Sequence, residues 1–136
     1  MALKISIFSF GYNKSGLPKD ESGNGGGFIF DCRFMHNPGR LQEFKFKTGK
    51  ENDVIEFIEK NTVMNEFLEH VYSVIDLAVK NYLERNFTNL LIGFGCTGGQ
   101  HRSVYASEHL AAYIHKKYPE VQIEIHHKEL GLTETL

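Results

Sequence analysis

Residues 93 to 104, GFGCTGGQHRSV, place a cysteine, a histidine and an arginine among glycines within a single turn of chain. Glycine lets the backbone curl until consecutive N–H groups point into one concavity, and at a helix N-terminus such a nest favours an anion. Arg102 adds a planar guanidinium fork that matches two oxygens of a phosphate. An arginine in a first helical turn opposes the helix dipole unless an anion compensates it. Anion binding therefore follows from residue types alone. His101, inside the loop, is expected to donate to the bound anion.

Cys96 raises a second possibility. Cys96, Gly99, Arg102 and Ser103 satisfy C-x-x-G-x-x-R-[ST], a spacing that resembles the nucleophile loop of cysteine-dependent tyrosine phosphatases. A helix N-terminus and a neighbouring arginine lower a thiol pKa and supply thiolate for attack. Such an enzyme also needs a general acid. Asp31 is the first candidate, although pairing with Arg33 keeps it ionised. His101 is the second. The competing reading of Cys96 is a small buried residue that closes a strand. Asp31 and Arg33 share a strand face by period two, and Asn37 just beyond them offers amide hydrogen bonds.

These residues need a frame. Residues 3 to 10, 28 to 34, 87 to 95 and 121 to 127 read as strands from alternation or continuous apolar runs. Residues 41 to 47 read as a short strand or an extended stretch. Asn52 is expected to cap one helix, and Thr62 the next, whose apolar stripe runs from Met64 to Tyr82. A last helix is expected from about Gly99 to Lys117, stopped near Pro119. Residues 11 to 27 have loop composition. Strands alternating with helices imply an α/β three-layer sandwich with a largely parallel sheet and ligands at the carboxyl ends of the strands.

A chain of 136 residues fits one domain, 1–136, with a core of its own. Apolar content of 41%, charged content of 24% and a net charge of −2 are those of an ordinary globular protein and exclude a wholesale basic surface. Two cysteines, Cys32 and Cys96, make no disulfide framework and suit a reducing, cytoplasmic setting. No apolar run is long enough for a membrane span. The histidines show no metal-ligand spacing, so no metal and no cofactor is expected. Arg40, Lys45, Lys47 and Lys50 form a modest basic run that reads as a solvated face able to touch a phosphate backbone.

Four stretches, SFGY…GLP (9 to 18), FDCRFMHNP (30 to 38), KTGKENDVIEFI (47 to 58) and GCTGGQHRSVYASEHLA (95 to 111), together resemble the C-terminal domain of the RNase adapter protein RapZ family, also described as nucleotide-binding proteins. The resemblance runs nearly end to end and outweighs the short phosphatase signature. It implies a pocket for a phosphorylated amino sugar, glucosamine-6-phosphate, built from Asp31, Arg33, Asn37, Thr97, Gly98, His101 and Arg102. Gly99, Gln100 and Ser103 complete the phosphate-binding loop. It further implies a regulatory rather than enzymatic role, with a small RNA or a regulatory protein as partner and a homo-oligomer among the compatible arrangements. The sequence departs from the family in three places. The sequence shows no counterpart of the family's N-terminal kinase-like domain, so a stand-alone C-terminal domain is expected. An inserted ESGNGGG (21 to 27) is expected to reshape one pocket wall. The tail, HHKELGLTETL, carries Glu129 and Glu134 where the family is basic.

Overall fold

A computed structural model describes residues 2–136. Five strands, β1 (Lys4–Gly11), β2 (Phe28–Asp31), β3 (Asn89–Cys96), β4 (Gln122–His127) and β5 (Leu132–Thr135), form one sheet in the order β2-β3-β1-β4-β5. The first four are parallel, and β5 returns antiparallel to β4. Three helices, α1 (Asn52–Asn61), α2 (Met64–Glu84) and α3 (Arg102–Lys117), complete the chain. The expected α/β sandwich with a largely parallel sheet is what forms.

Connection handedness decides which face each element covers. The steps β2 to β3 and β3 to β4 cross the sheet in one direction, and β1 to β2 crosses in the other. Right-handed crossovers therefore put all three helices on one face and residues 12 to 27 on the opposite one. Ile5, Ile7, Leu90, Ile92, Phe94, Ile123 and Ile125 accordingly join one core with Val54, Ile58, Leu68, Ile75, Leu110 and Ile114. Each fully buried aliphatic side chain contributes about 1.5–3 kcal/mol. On the other face Lys4, Ser6, Phe8, Leu91, Glu124 and His126 meet residues 18 to 22 of the loop. The third layer is thus a loop, not a helix.

Local sequence accounts for the element ends. Thr62 Oγ1 accepts the Met64 N–H at 3.1 Å at the bend between α1 and α2. Asn52 is the first helical residue of α1 rather than its cap, a position held by Glu51. Asn86 stops α2 in the left-handed region at φ 57°, a conformation asparagine tolerates better than most residues. Residues 42–44 form a 3-10 turn instead of an extended stretch. β2 stops at Asp31 because the following carbonyls are captured by an arginine side chain, described below. β5 has no counterpart in the sequence reading. Gly131 at φ 61° closes its hairpin, followed by the alternating LTET. The glycine-rich insertion lies beside Thr88 and Asn89 at the amino ends of the strands, where Asn24 Nδ2 donates to the Asn89 carbonyl. It is no wall of a carboxyl-end pocket.

Candidate functional site

The glycine loop is shaped by close packing at the carboxyl ends of β1 and β3. A Cβ at Gly11 would stand 2.7 Å from the Gly98 carbonyl carbon, and one at Gly99 would stand 2.5 Å from the Gly11 nitrogen. Gly99 also takes φ +71°, which favours glycine. Glu129, from the β4–β5 turn, clamps this contact. Its Oε2 accepts the N–H groups of Gly11 and Ser15, both at 3.0 Å, and its Oε1 the Ser15 hydroxyl. Partial burial raises the Glu129 pKa, but these donors together hold it below the ordinary carboxylate value.

Beyond the clamp the chain enters α3 with no side-chain cap. Among the described residues, the N–H groups of Gly98 to Val104 find no acceptor in the protein. Two adjoining cavities open here, sharing Asn37 and Thr97. The smaller, about 210 Å³, is lined by Arg33, Phe34, Met35, His36, Arg40 and Arg102. The larger, about 560 Å³, is lined by Gly39, Lys45, Phe46, Thr48, Gly98, Gln100, His101 and Leu130.

Arg102 is only 2% exposed. Its Nη1 donates to the carbonyls of Cys32, Arg33 and Met35 at 3.3, 3.2 and 2.7 Å, while its Nε is buried with no partner. No salt bridge to Arg102 exists among the described residues. A buried cation without a carboxylate is costly. One arm of the guanidinium thus organises the 32–35 turn, and the charge stands at the smaller cavity with no carboxylate in contact, Asp31 acting on it only through space.

His101 Nε2 meets the Phe44 carbonyl at 2.8 Å, so this nitrogen carries the proton and donates. Burial lowers the ring pKa, which favours neutral imidazole with a bare lone pair on Nδ1. A Cβ at Gly39 would stand 3.4 Å from that Nδ1. The expected donation to an anion is therefore replaced by an acceptor. Gln100 supports the wall: its side-chain amide donates to the carbonyls of Lys45 and Lys47 at 2.8 and 2.6 Å, and its carbonyl accepts the Gly49 N–H at 3.0 Å.

Of the residues anticipated, Arg33, Asn37, Thr97, Gly98, Gln100, His101 and Arg102 line the two cavities. Asp31 lines neither. It forms a two-bonded ion pair with Arg33, Nη2 to Oδ2 at 2.7 Å and Nε to Oδ1 at 3.0 Å, and this bonding holds its carboxyl below the ordinary value. The pair is nearly half exposed, and the Arg33 guanidinium stacks 3.7 Å over the Tyr12 ring. Gly99 packs under the loop. Ser103 is fully buried and accepts a hydrogen bond from Cys96 Sγ at 3.2 Å. Cys96 belongs to the apolar core, lines neither cavity and faces no free acid, so the phosphatase alternative has no support. The signature spacing arises here from packing: the thiol fills the space beneath the loop.

Gly39, Phe46, Thr48 and Leu130 were not anticipated, and Arg40 and Lys45 were noted only as part of a basic run. A 3-10 turn brings Lys45 and Phe46 to the rim, where an extended reading would have placed them elsewhere. A third cavity, about 640 Å³, lies on the loop-covered sheet face. There Lys4, Lys19 and Lys128 are offset by Asp20, Glu21 and Glu124, so it makes no net demand for a charged ligand.

The family model described as the RapZ C-terminal domain matches residues 3–131. A nucleotide-binding protein of Fervidobacterium nodosum is 38% identical over 127 residues, 93% of this chain and 43% of the relative. One from Thermosipho africanus is 41% identical over 120 residues, covering 88% and 40%. One from Caldicellulosiruptor saccharolyticus is 43% identical over 106 residues, covering 78% and 34%. The chain thus spans about two fifths of the length of the first of these relatives. No helix among the described residues is long and apolar enough to cross a membrane.

Proposed function

Given that the chain belongs to the RapZ C-terminal domain family, we propose that it is a ligand-sensing regulatory domain that holds a phosphorylated small molecule, an amino-sugar phosphate, in the carboxyl-end crevice. The observation that carries this reading is the Arg102 guanidinium, buried without a carboxylate beside unpartnered N–H groups at the head of α3. A phosphate there compensates the buried charge, satisfies the loop N–H groups and reverses the unfavourable sign of a cation at a helix N-terminus. Gly98, Gln100 and His101 supply backbone donors, and Ser103 contributes only its N–H. Thr97 and the Asn37 amide stand where both cavities meet. The bare Nδ1 of His101 accepts from a hydroxyl or an ammonium group on the ligand body, which suits a polyhydroxylated or aminated sugar. Asp31 acts through Arg33, whose guanidinium it orients.

Calorimetric titration with hexosamine phosphates, hexose phosphates, mononucleotides and inorganic phosphate tests the reading. Binding of a sugar phosphate that is lost in Arg102→Met supports it. No binding by any of these, or binding unchanged by that substitution, refutes it. A nucleotide preferred over every sugar phosphate would replace the proposed ligand class and match the names of the relatives.

An RNA partner is favoured by one further observation. Phe34 and Phe46 are 63% and 86% exposed next to Arg40 and Lys45 at the crevice rim. Aromatic faces interleaved with cations stack single-stranded bases. Binding of a short single-stranded RNA that weakens steeply with salt is the expected outcome, and a flat salt response removes this partner.

A further inference from the structure

We propose that Glu108, His127 and Glu134 form a second site, which takes a first-row divalent cation such as Zn²⁺ or Mn²⁺ in exchange for the Lys50 ammonium. The three residues come from α3, β4 and β5 and line neither crevice cavity. One ligand atom from each lies within 4.8 Å of the other two. His127 is fully buried, and its ring is fixed from both sides: Nδ1 lies 2.6 Å from Ser9 Oγ, and Nε2 lies 2.6 Å from Glu108 Oε2. The Ser9 hydroxyl can accept as well as donate. The contact with Glu108 requires a proton on Nε2. A metal displaces it, the ring keeps one proton on Nδ1 and donates it to Ser9, and Nε2 presents its lone pair to the ion, an arrangement in which an outer partner orients a ligating histidine.

The carboxylates already hold a cation. Lys50 Nζ contacts Glu134 and lies 3.5 Å from Glu108 Oε2, on a side chain 36% exposed. A flexible stem with a path to solvent can withdraw, leaving a pre-assembled donor set of one imidazole nitrogen and two carboxylates. That mixture suits Zn²⁺ or Mn²⁺ better than Mg²⁺ or Ca²⁺, which take oxygen donors. Ligand atoms about 2.1 Å from one metal stand at most about 4.2 Å apart, a spacing within reach of this set, and the 2.6 Å contact between His127 Nε2 and Glu108 Oε2 opens to admit the ion. Glu134 can adjust its approach, because β5 is an edge strand paired on one side only. Lys50 follows Gly49, whose N–H donates to the Gln100 carbonyl, so the exchange takes place next to the crevice wall.

The test uses the whole chain with Co²⁺ as a visible-absorption probe and calorimetry with Zn²⁺ and Mn²⁺. Wild-type protein is expected to bind, Lys50→Met to bind several-fold more tightly, and Glu134→Gln to lose about 10–100-fold in affinity. Glu134 sits on an exposed edge, and an unchanged far-ultraviolet spectrum confirms that its variant folds. The absence of a cobalt band in both wild type and Lys50→Met overturns the proposal. So does affinity indifferent to Glu134→Gln, or an intense near-ultraviolet thiolate band that marks capture by a cysteine. None of these substitutions touches Arg102, so failure here and failure of phosphate binding are separate results.

Discussion

Replacing Arg102 with methionine separates the two roles of its guanidinium. Nη1 carries two protons and meets three carbonyl oxygens, those of Cys32, Arg33 and Met35. Hydrogen bonds from a charged donor contribute about 1.5–3 kcal/mol each, so two protons supply about 3–6 kcal/mol. Against this stands the orphaned Nε, whose lost hydration costs about 1–3 kcal/mol and is relieved when the group is removed. The balance predicts a variant less stable by about 2–3 kcal/mol in chloride, a melting temperature lower by roughly 6–15 °C for a chain of this length. Phosphate changes the comparison. At a concentration about 100 times its dissociation constant it stabilises the wild type by about 2.7 kcal/mol, and the variant by little. Thermal unfolding by circular dichroism, in chloride and phosphate buffers of matched ionic strength, reads both effects. Equal phosphate stabilisation of wild type and variant would refute the assignment of the anion to Arg102. A variant more stable than the wild type in chloride would refute the role given to the three carbonyls.

Gly99→Ala combines a left-handed backbone with a Cβ placed 2.5 Å from the Gly11 nitrogen; a loss of about 2–4 kcal/mol is expected in urea unfolding. Glu129 has a folded pKa below its ordinary 4.5, so its contribution is present above that value and is lost as pH falls through the folded pKa. Glu129→Gln should therefore lower the urea midpoint at neutral pH and flatten its decline towards about pH 3; a wild-type slope in the variant would exclude this carboxyl. Cys96→Ala removes a core thiol that lines neither cavity, and phosphate affinity measured by calorimetry should stay within error of wild type. A large loss of affinity would return the sulfur to the site.

The sheet and the glycine loop were legible because each leaves a local signal. Ile5 and Ile7 alternate with polar neighbours, and residues 89 to 96 run apolar into glycine. Arg102 was also legible, but only as a cation in a first helical turn. Its attachment to residues 32, 33 and 35 spans 67 to 70 positions, and no local pattern records it. The direction of Asp31 turned on where β2 ends, which that same arginine decides. The tautomer of His101 depends on the Phe44 carbonyl, presented by a 3-10 turn that alternation disguised as a strand. The Glu108, His127 and Glu134 group escaped the histidine count because its members are 19 and 7 residues apart on three elements. β5 was missed because its four residues are mostly exposed and carry little apolar signal.

The loop layer over the helix-free face bears on how this domain tolerates change. Residues 21 to 27 lie at the opposite end of the strands from the crevice, and Gly23 and Gly25 have nothing within 4 Å of where a Cβ would sit. Lengthening a flexible connection is inexpensive, about 0.6 kcal/mol for each doubling. Insertions here can therefore accumulate without disturbing the core, the strand register or the anion-facing loop. This segment is the natural seam for a fused tag, a fluorescent reporter or a new breakpoint of the chain, since the ligand end would not register the change.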